Sequence, residues 1–146
     1  MRLGYLCASP MSVSRSLCWL MLTRPGLVLR LEALAVLAAA LAVYATVLHG
    51  RWWVFAAFFL APDLSLLGYA WRGHPGAAAA VYNAAHTYLG PFLLAAIALR
   101  VGAGWGELGA LIWIAHIAFD RVLGFGLKYP EAFKPTHLQT AAVFRA

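Results

Sequence analysis

Polar positions along this chain are sparse and clustered, and four long apolar stretches run between them: about Leu27 to Leu48, Trp52 to Ala70, Ala77 to Leu99 and Trp105 to Leu127. Each is close to the ~20 residues that a helix rising ~1.5 Å per residue needs to cross ~30 Å of hydrocarbon. A helix also satisfies its own backbone hydrogen bonds, which lipid cannot do for it. The pattern predicts an all-α integral membrane bundle of four transmembrane helices. Its links are short, His49-Gly50-Arg51, Trp71 to Pro75 and Arg100 to Gly104, so consecutive helices are expected to be antiparallel neighbours. Residues 27–139 read as the membrane domain and 140–146 as a C-terminal tail.

Residues 1–26 break the pattern. They mix Ser, Arg and Pro with one brief apolar run, Leu17 to Leu22, too short to span and without a signal-peptide cleavage pattern. The expectation is a poorly ordered or mis-annotated extension, with Met11 and Met21 as alternative starts or the segment as a loose amphipathic arm. Its two cysteines, Cys7 and Cys18, form no CxxC metal motif and are not expected to pair.

Composition narrows the class further. Apolar residues make up 64% of the 146 positions and charged residues 11%; soluble domains carry about 45–50% and about 25%. A soluble globular domain, a disordered chain, a collagen and a disulfide scaffold are all excluded. Eleven Lys and Arg against five Asp and Glu give a net charge of +6. No nucleic-acid module accompanies it, so the excess reads as orientation in a bilayer and not as nucleic-acid binding. Arg2, Arg15, Arg24, Arg30, Arg72, Arg121, Lys128, Lys134 and Arg145 fall on one side and only Arg51 and Arg100 on the other. The positive-inside rule then places both termini in the cytoplasm and the protein in the inner membrane, with the bilayer as partner and a homo-oligomer compatible with the class. Trp52, Trp53, Trp71 and Trp105 sit at segment ends, where an interfacial aromatic belt belongs.

Chemistry is expected where polar side chains enter the apolar stretches, because ionisable groups at membrane depth cost several kcal/mol unless they pair or hold an ion. The second stretch carries Asp63, the third Asn83, His86 and Thr87, and the fourth His116, Asp120 and Arg121. Asn83 and His86 are spaced i,i+3, and His116 and Asp120 i,i+4, so each pair shares a helix face. At ~1.5 Å per residue, Asp63, His86, His116 and Asp120 fall at similar depth, roughly 10–17 Å from the cytoplasmic interface. Two imidazoles and two carboxylates suit a divalent metal such as Zn, Mn or Fe, and an open coordination position there would acidify a water for hydrolysis. Asn83 is the candidate to orient a ligand or substrate, and Arg121 to steady negative charge. The alternative is a non-enzymatic protein whose polar cluster joins helices or relays protons or a small solute. Pro62 and Pro91 are expected to kink their helices beside this cluster. Glu32 has two readings, a helix-dipole partner or a base reaching the cluster, and His137 is a candidate cap on the same face.

Several strings together, Arg30-Leu-Glu32, Ala61-Pro-Asp-Leu-Ser-Leu-Leu-Gly-Tyr69, Tyr82-Asn-Ala-Ala-His-Thr-Tyr88, His116-Ile-Ala-Phe-Asp-Arg121, Gly124-Phe-Gly-Leu-Lys-Tyr129 and Phe133-Lys-Pro-Thr-His-Leu138, resemble the small membrane family known as domain of unknown function 4260. The resemblance runs from about Arg30 to Gln139 and implies a multi-helix membrane architecture without an assigned activity. A weaker similarity is to the membrane-bound metal-dependent hydrolases, through the order Pro-Asp, His-Thr and His-x-x-x-Asp. It implies Asp63, His86, His116 and Asp120 as metal ligands. The sequence departs from that pattern in lacking a His beside Pro62-Asp63, in having Asn83-Ala-Ala-His-Thr for an Arg-Gly string, and in placing His before Thr.

Overall fold

A computed structural model of the chain describes residues 25–70, 75–129 and 132–136. The readings of the N-terminal extension with Cys7 and Cys18, of Trp71 and His137, and of the C-terminal tail lie outside the described residues.

The first helix, α1 (Pro25–Thr46), opens on a proline, whose missing N–H costs nothing at a first helical position. The link that follows folds under a single side chain. Tyr44 is fully buried, its hydroxyl donates to the Arg51 carbonyl at 2.8 Å, and Gly50 lies against its ring so closely that a Cβ there has no room. The second apolar stretch is not one α-helix. α2 (Trp52–Phe58) stops early, and residues Ala61–Ala70 continue as a 3-10 helix. Pro62 explains the change, because it has no N–H to bond the Phe58 carbonyl four residues back. The Asp63 N–H bonds instead to the Leu60 carbonyl at 3.1 Å, three residues back.

The third stretch is broken as well. α3 (Pro75–Ala85) and α4 (Leu89–Val101) meet at a bend of 44°, with His86, Thr87 and Tyr88 in the turn between them. Pro91 has no N–H for the Thr87 carbonyl, so a continuous helix loses its bond at this point. α5 (Gly104–Leu123) is continuous and ends on Gly124 at φ 90°. The N–H groups of Gly124 and Phe125 bond back to the Arg121 and Asp120 carbonyls, the pattern of a left-handed glycine cap. The chain then forms a short antiparallel pair, β1 (Lys128–Tyr129) and β2 (Ala132–Thr136), the remaining elements among the described residues being helical.

α5 is the hub. α1 and α4 pack on it, while α3 packs against the 3-10 segment. Small residues allow the approach: Gly106 of α5 seats on Ala98 of α4, and Gly90 lies under the Trp113 ring. The buried residues of α5 include Ala110, Ile112, Ile114, Ala115, His116, Ile117 and Ala118.

The expectation of four transmembrane helices is met in part. Among the described residues two helical segments, Pro25–Thr46 and Trp52–Tyr69, are long and apolar enough to cross a membrane, or three if the bent α3–α4 pair is one span. α5 has the length, but it carries Glu107, Asp120 and Arg121 and is packed on several sides by the other helices. The spanning segments are mostly uncovered by protein, and large apolar side chains such as Leu64, Leu67, Phe92 and Leu99 stand exposed. Apolar surface of this extent on the outside of helices points to a membrane protein.

Candidate metal centre

Three elements meet at one point. The 3-10 segment brings Asp63, the α3–α4 turn brings His86, and α5 brings His116 and Asp120; one ligand atom from each lies within 4.8 Å of all the others. A 3-10 helix repeats every three residues, so its side chains fall in three rows. Leu64 and Leu67 form an exposed row, Pro62 and Ser65 line an apolar cavity, and Asp63 shares its row with Tyr69, which meets the Lys128 ammonium. The break at Ala85 takes His86 out of the α-helix and sets its imidazole flat on the Tyr82 ring, 3.8 Å between centroids.

The separations match what one metal ion requires. The Nε2 atoms of His86 and His116 are 3.3 Å apart. From His86 Nε2 the distances are 3.4 Å to an Asp63 oxygen and 3.5 Å to an Asp120 oxygen; from His116 Nε2 they are 3.5 and 3.7 Å to the same two oxygens. Ligand bonds of about 2.0–2.2 Å place the corners of a tetrahedron ~3.3–3.6 Å apart. Five of the six edges among these four atoms are therefore close to tetrahedral. The donor chemistry fits too. His86 Nδ1 is 2.9 Å from the Tyr82 carbonyl, which favours the proton on Nδ1 and leaves the Nε2 lone pair facing the cluster. His116 also directs Nε2 inward, its ring stands edge-on to Phe59, and its Nδ1 is buried without a hydrogen-bond partner among the described residues.

Burial makes the arrangement costly without a common partner. His86 and His116 are 4% and 1% exposed, and the Asp120 and Asp63 side chains 17% and 36%. Two carboxylates at this separation repel each other, and neutral imidazoles do little to offset them. A divalent cation offsets both charges at once.

The other sequence-predicted residues lie around the cluster rather than in it. Asn83 turns to the β1 strand: its amide nitrogen donates to the Lys128 carbonyl at 2.9 Å, and its oxygen accepts from the Lys128 N–H at 2.7 Å. Arg121 lies over the Tyr88 ring at 4.2 Å and shares the wall of a small cavity with His86 and Asp120. Glu32 is exposed on α1, outside both the four-residue cluster and the first helical turn. Lys128 is the residue that sequence reasoning missed. Its ammonium lies 4.9 Å from the Tyr69 ring and 4.5 Å from the Tyr82 ring. Burial holds this ammonium below the ordinary lysine range, and the Asp63 carboxylate acts in the opposite direction. The available signal was the string Gly124-Phe-Gly-Leu-Lys128, whose two glycines permit a return of the chain toward α3.

A larger cavity of about 630 Å³ lies against the opposite row of the 3-10 segment, between Trp53, Phe58, Pro62, Ser65, Trp105 and Trp113. Its wall is almost wholly apolar, and its size is within the ~300–1,000 Å³ of ordinary ligand pockets.

No curated protein and no solved structure matches the chain, so the similarity to membrane-bound metal-dependent hydrolases gains no support from them. The sequence profile described as "Domain of unknown function (DUF4260)" does match, over residues 26–141, and the chain belongs to that family.

Proposed function

We propose that this protein is a membrane metalloprotein in which Asp63, His86, His116 and Asp120 hold one divalent cation. The observation that carries the reading is the set of five ligand-atom separations of 3.3–3.7 Å, gathered from three elements. Bound there, a metal such as Zn, Mn or Fe would supply Lewis acidity and an acidified water. The reaction this favours is hydrolysis of a lipid-like or membrane-delivered ester or phosphoester, and the apolar cavity beside the 3-10 segment suits the apolar part of such a substrate. The nine-to-two distribution of Lys and Arg supports an inner-membrane protein with four helices across the bilayer, both termini cytoplasmic and the centre nearer the cytoplasmic face.

One observation favours a second reading. Four protein ligands complete a tetrahedron, and a closed shell is the mark of a structural zinc site, whereas Mn or Fe at higher coordination keeps positions for water.

Metal analysis of the detergent-purified chain tests the first reading. One equivalent per chain, lost in the His86→Ala, His116→Ala double variant, is the expected result; metal-free wild-type protein after incubation with Zn, Mn and Fe overturns it. Cobalt substitution separates catalytic from structural. An intense visible spectrum unmoved by added anions marks a closed tetrahedral shell, and a weak one that shifts with anions marks an open shell.

A further inference from the structure

One tryptophan joins the elements that supply the two imidazoles. Trp113 stands one turn before His116 on α5, and its indole N–H donates to the Ala85 carbonyl at 2.6 Å, across 28 residues of sequence. Ala85 is the last residue of α3, and His86 follows it directly. The far edge of the same ring lies on Gly90, the second residue of α4, where a Cβ would meet it at 2.8 Å. A single side chain of α5 therefore touches both sides of the α3–α4 break, and His86 lies in the turn between them.

The two polar groups need each other. A helix end leaves carbonyls without intrahelical partners, and lipid offers no water to satisfy them. An indole N–H is a donor only, and the Trp113 ring lines the apolar wall of the large cavity. Pro91 explains why a continuous helix loses a bond here, but a missing bond does not fix the direction of a bend. The Trp113 contact does, because it ties the end of α3 to the turn of α5 just before His116. His86 moves with that end, since its N–H bonds to the Tyr82 and Asn83 carbonyls at 3.0 and 3.2 Å. The 3.3 Å between the two Nε2 atoms thus depends on one hydrogen bond and one ring contact. Metal ligands must be held within about 0.5 Å of the coordinating geometry, so a support this close to both imidazoles bears directly on metal affinity.

We propose that Trp113 is a positioning residue of this centre: its indole, wedged into the α3–α4 break, sets His86 against His116. This rests on the metal reading above. Trp113 acts on the ligands through the Ala85 carbonyl and through the α5 backbone.

The experiment measures the zinc affinity of the full-length chain in detergent by competition with a chelator, together with the visible spectrum of the cobalt form. Trp113→Phe keeps an aromatic ring near Gly90 and removes the N–H. It is expected to weaken zinc binding about tenfold or more and to shift the cobalt bands, with one metal per chain still bound at saturation. Trp52→Phe, the same change at a tryptophan packed on Tyr44 and Phe55, is expected to leave both readings unchanged. Gly90→Ala keeps the N–H and pushes on the far edge of the ring, so it is expected to weaken zinc as well and serves as the test where Trp113→Phe does not fold. Wild-type affinity and cobalt spectrum in either folded variant overturn this inference and leave the metal reading standing. An equal loss in Trp52→Phe assigns the effect to general packing and overturns it too. A wild-type chain that takes up neither zinc nor cobalt overturns both.

Discussion

The Nε2 atoms of His86 and His116, 30 residues apart in the chain, face each other at 3.3 Å with neither imidazole on an exposed surface. Two basic nitrogens gain nothing from this contact unless a proton or a cation lies between them. The nearby oxygens of Asp63 and Asp120 make a cation the better match.

Metal binding is therefore expected to stabilise the fold. At free zinc a hundredfold above its dissociation constant the gain is about 2.7 kcal/mol. It appears as a rise in thermal midpoint that a chelator reverses. Equal midpoints with and without zinc, in protein shown to bind it, would mean that the site is not coupled to folding.

Pro91→Ala restores an N–H that can bond the Thr87 carbonyl, and the α3–α4 turn is expected to tighten toward a continuous helix. His86 sits in that turn, so zinc affinity is expected to fall about 10-fold, as for other losses of support around a ligand. Zinc affinity equal to wild type in this variant would show that the bend does not place His86.

The Lys128 ammonium is expected to titrate below an ordinary lysine, because burial disfavours the charged form. Asp63 opposes that shift, so Asp63→Asn lowers the midpoint further, and zinc bound at Asp63 does the same. Lysine-resolved NMR on isotopically methylated protein reads all three. The sign for stability follows from proton counting: between the lowered folded value and the unfolded value of 10.5 the unfolded chain binds more protons, so this group's contribution improves as pH rises through that window. A Lys128 midpoint that rises on adding zinc contradicts the coupling of this ammonium to the Asp63 carboxylate.

Gly124→Ala is expected to destabilise the protein by about 1 kcal/mol or more. Its φ of 90° is unfavourable for a side chain, and a Cβ there meets the Arg30 guanidinium. Arg30→Ala removes the collision and not the backbone strain, so the double variant recovers part of the loss in denaturant titrations. Full recovery would assign the whole effect to crowding.

The apolar stretches were legible because lipid imposes a simple demand: a run of side chains of one kind, long enough to cross. The four candidate ligands were legible for the complementary reason, since His and Asp within such runs call for compensation. Neither rule reaches the breaks. Pro62 and Pro91 mark where helical bonds are lost, but whether the chain kinks, stops or changes to a 3-10 repeat depends on neighbouring packing. Asn83 and His86 were assigned one face by i,i+3 spacing. The structure sends Asn83 to Lys128 and His86 to the cluster, because α3 ends at Ala85 and the spacing rule ends with it.

The amino-acid sequence alone marked the long apolar stretches and the polar residues set within them, which follow from local composition and period. Tertiary structure alone decided that α5 is the packed hub instead of a freely lipid-facing span, that four ligand atoms share one point, and that Lys128 returns to the Tyr69 and Tyr82 rings. Those outcomes depend on contacts between residues dozens of positions apart, and no periodicity along a single chain encodes the distance between two of its helices.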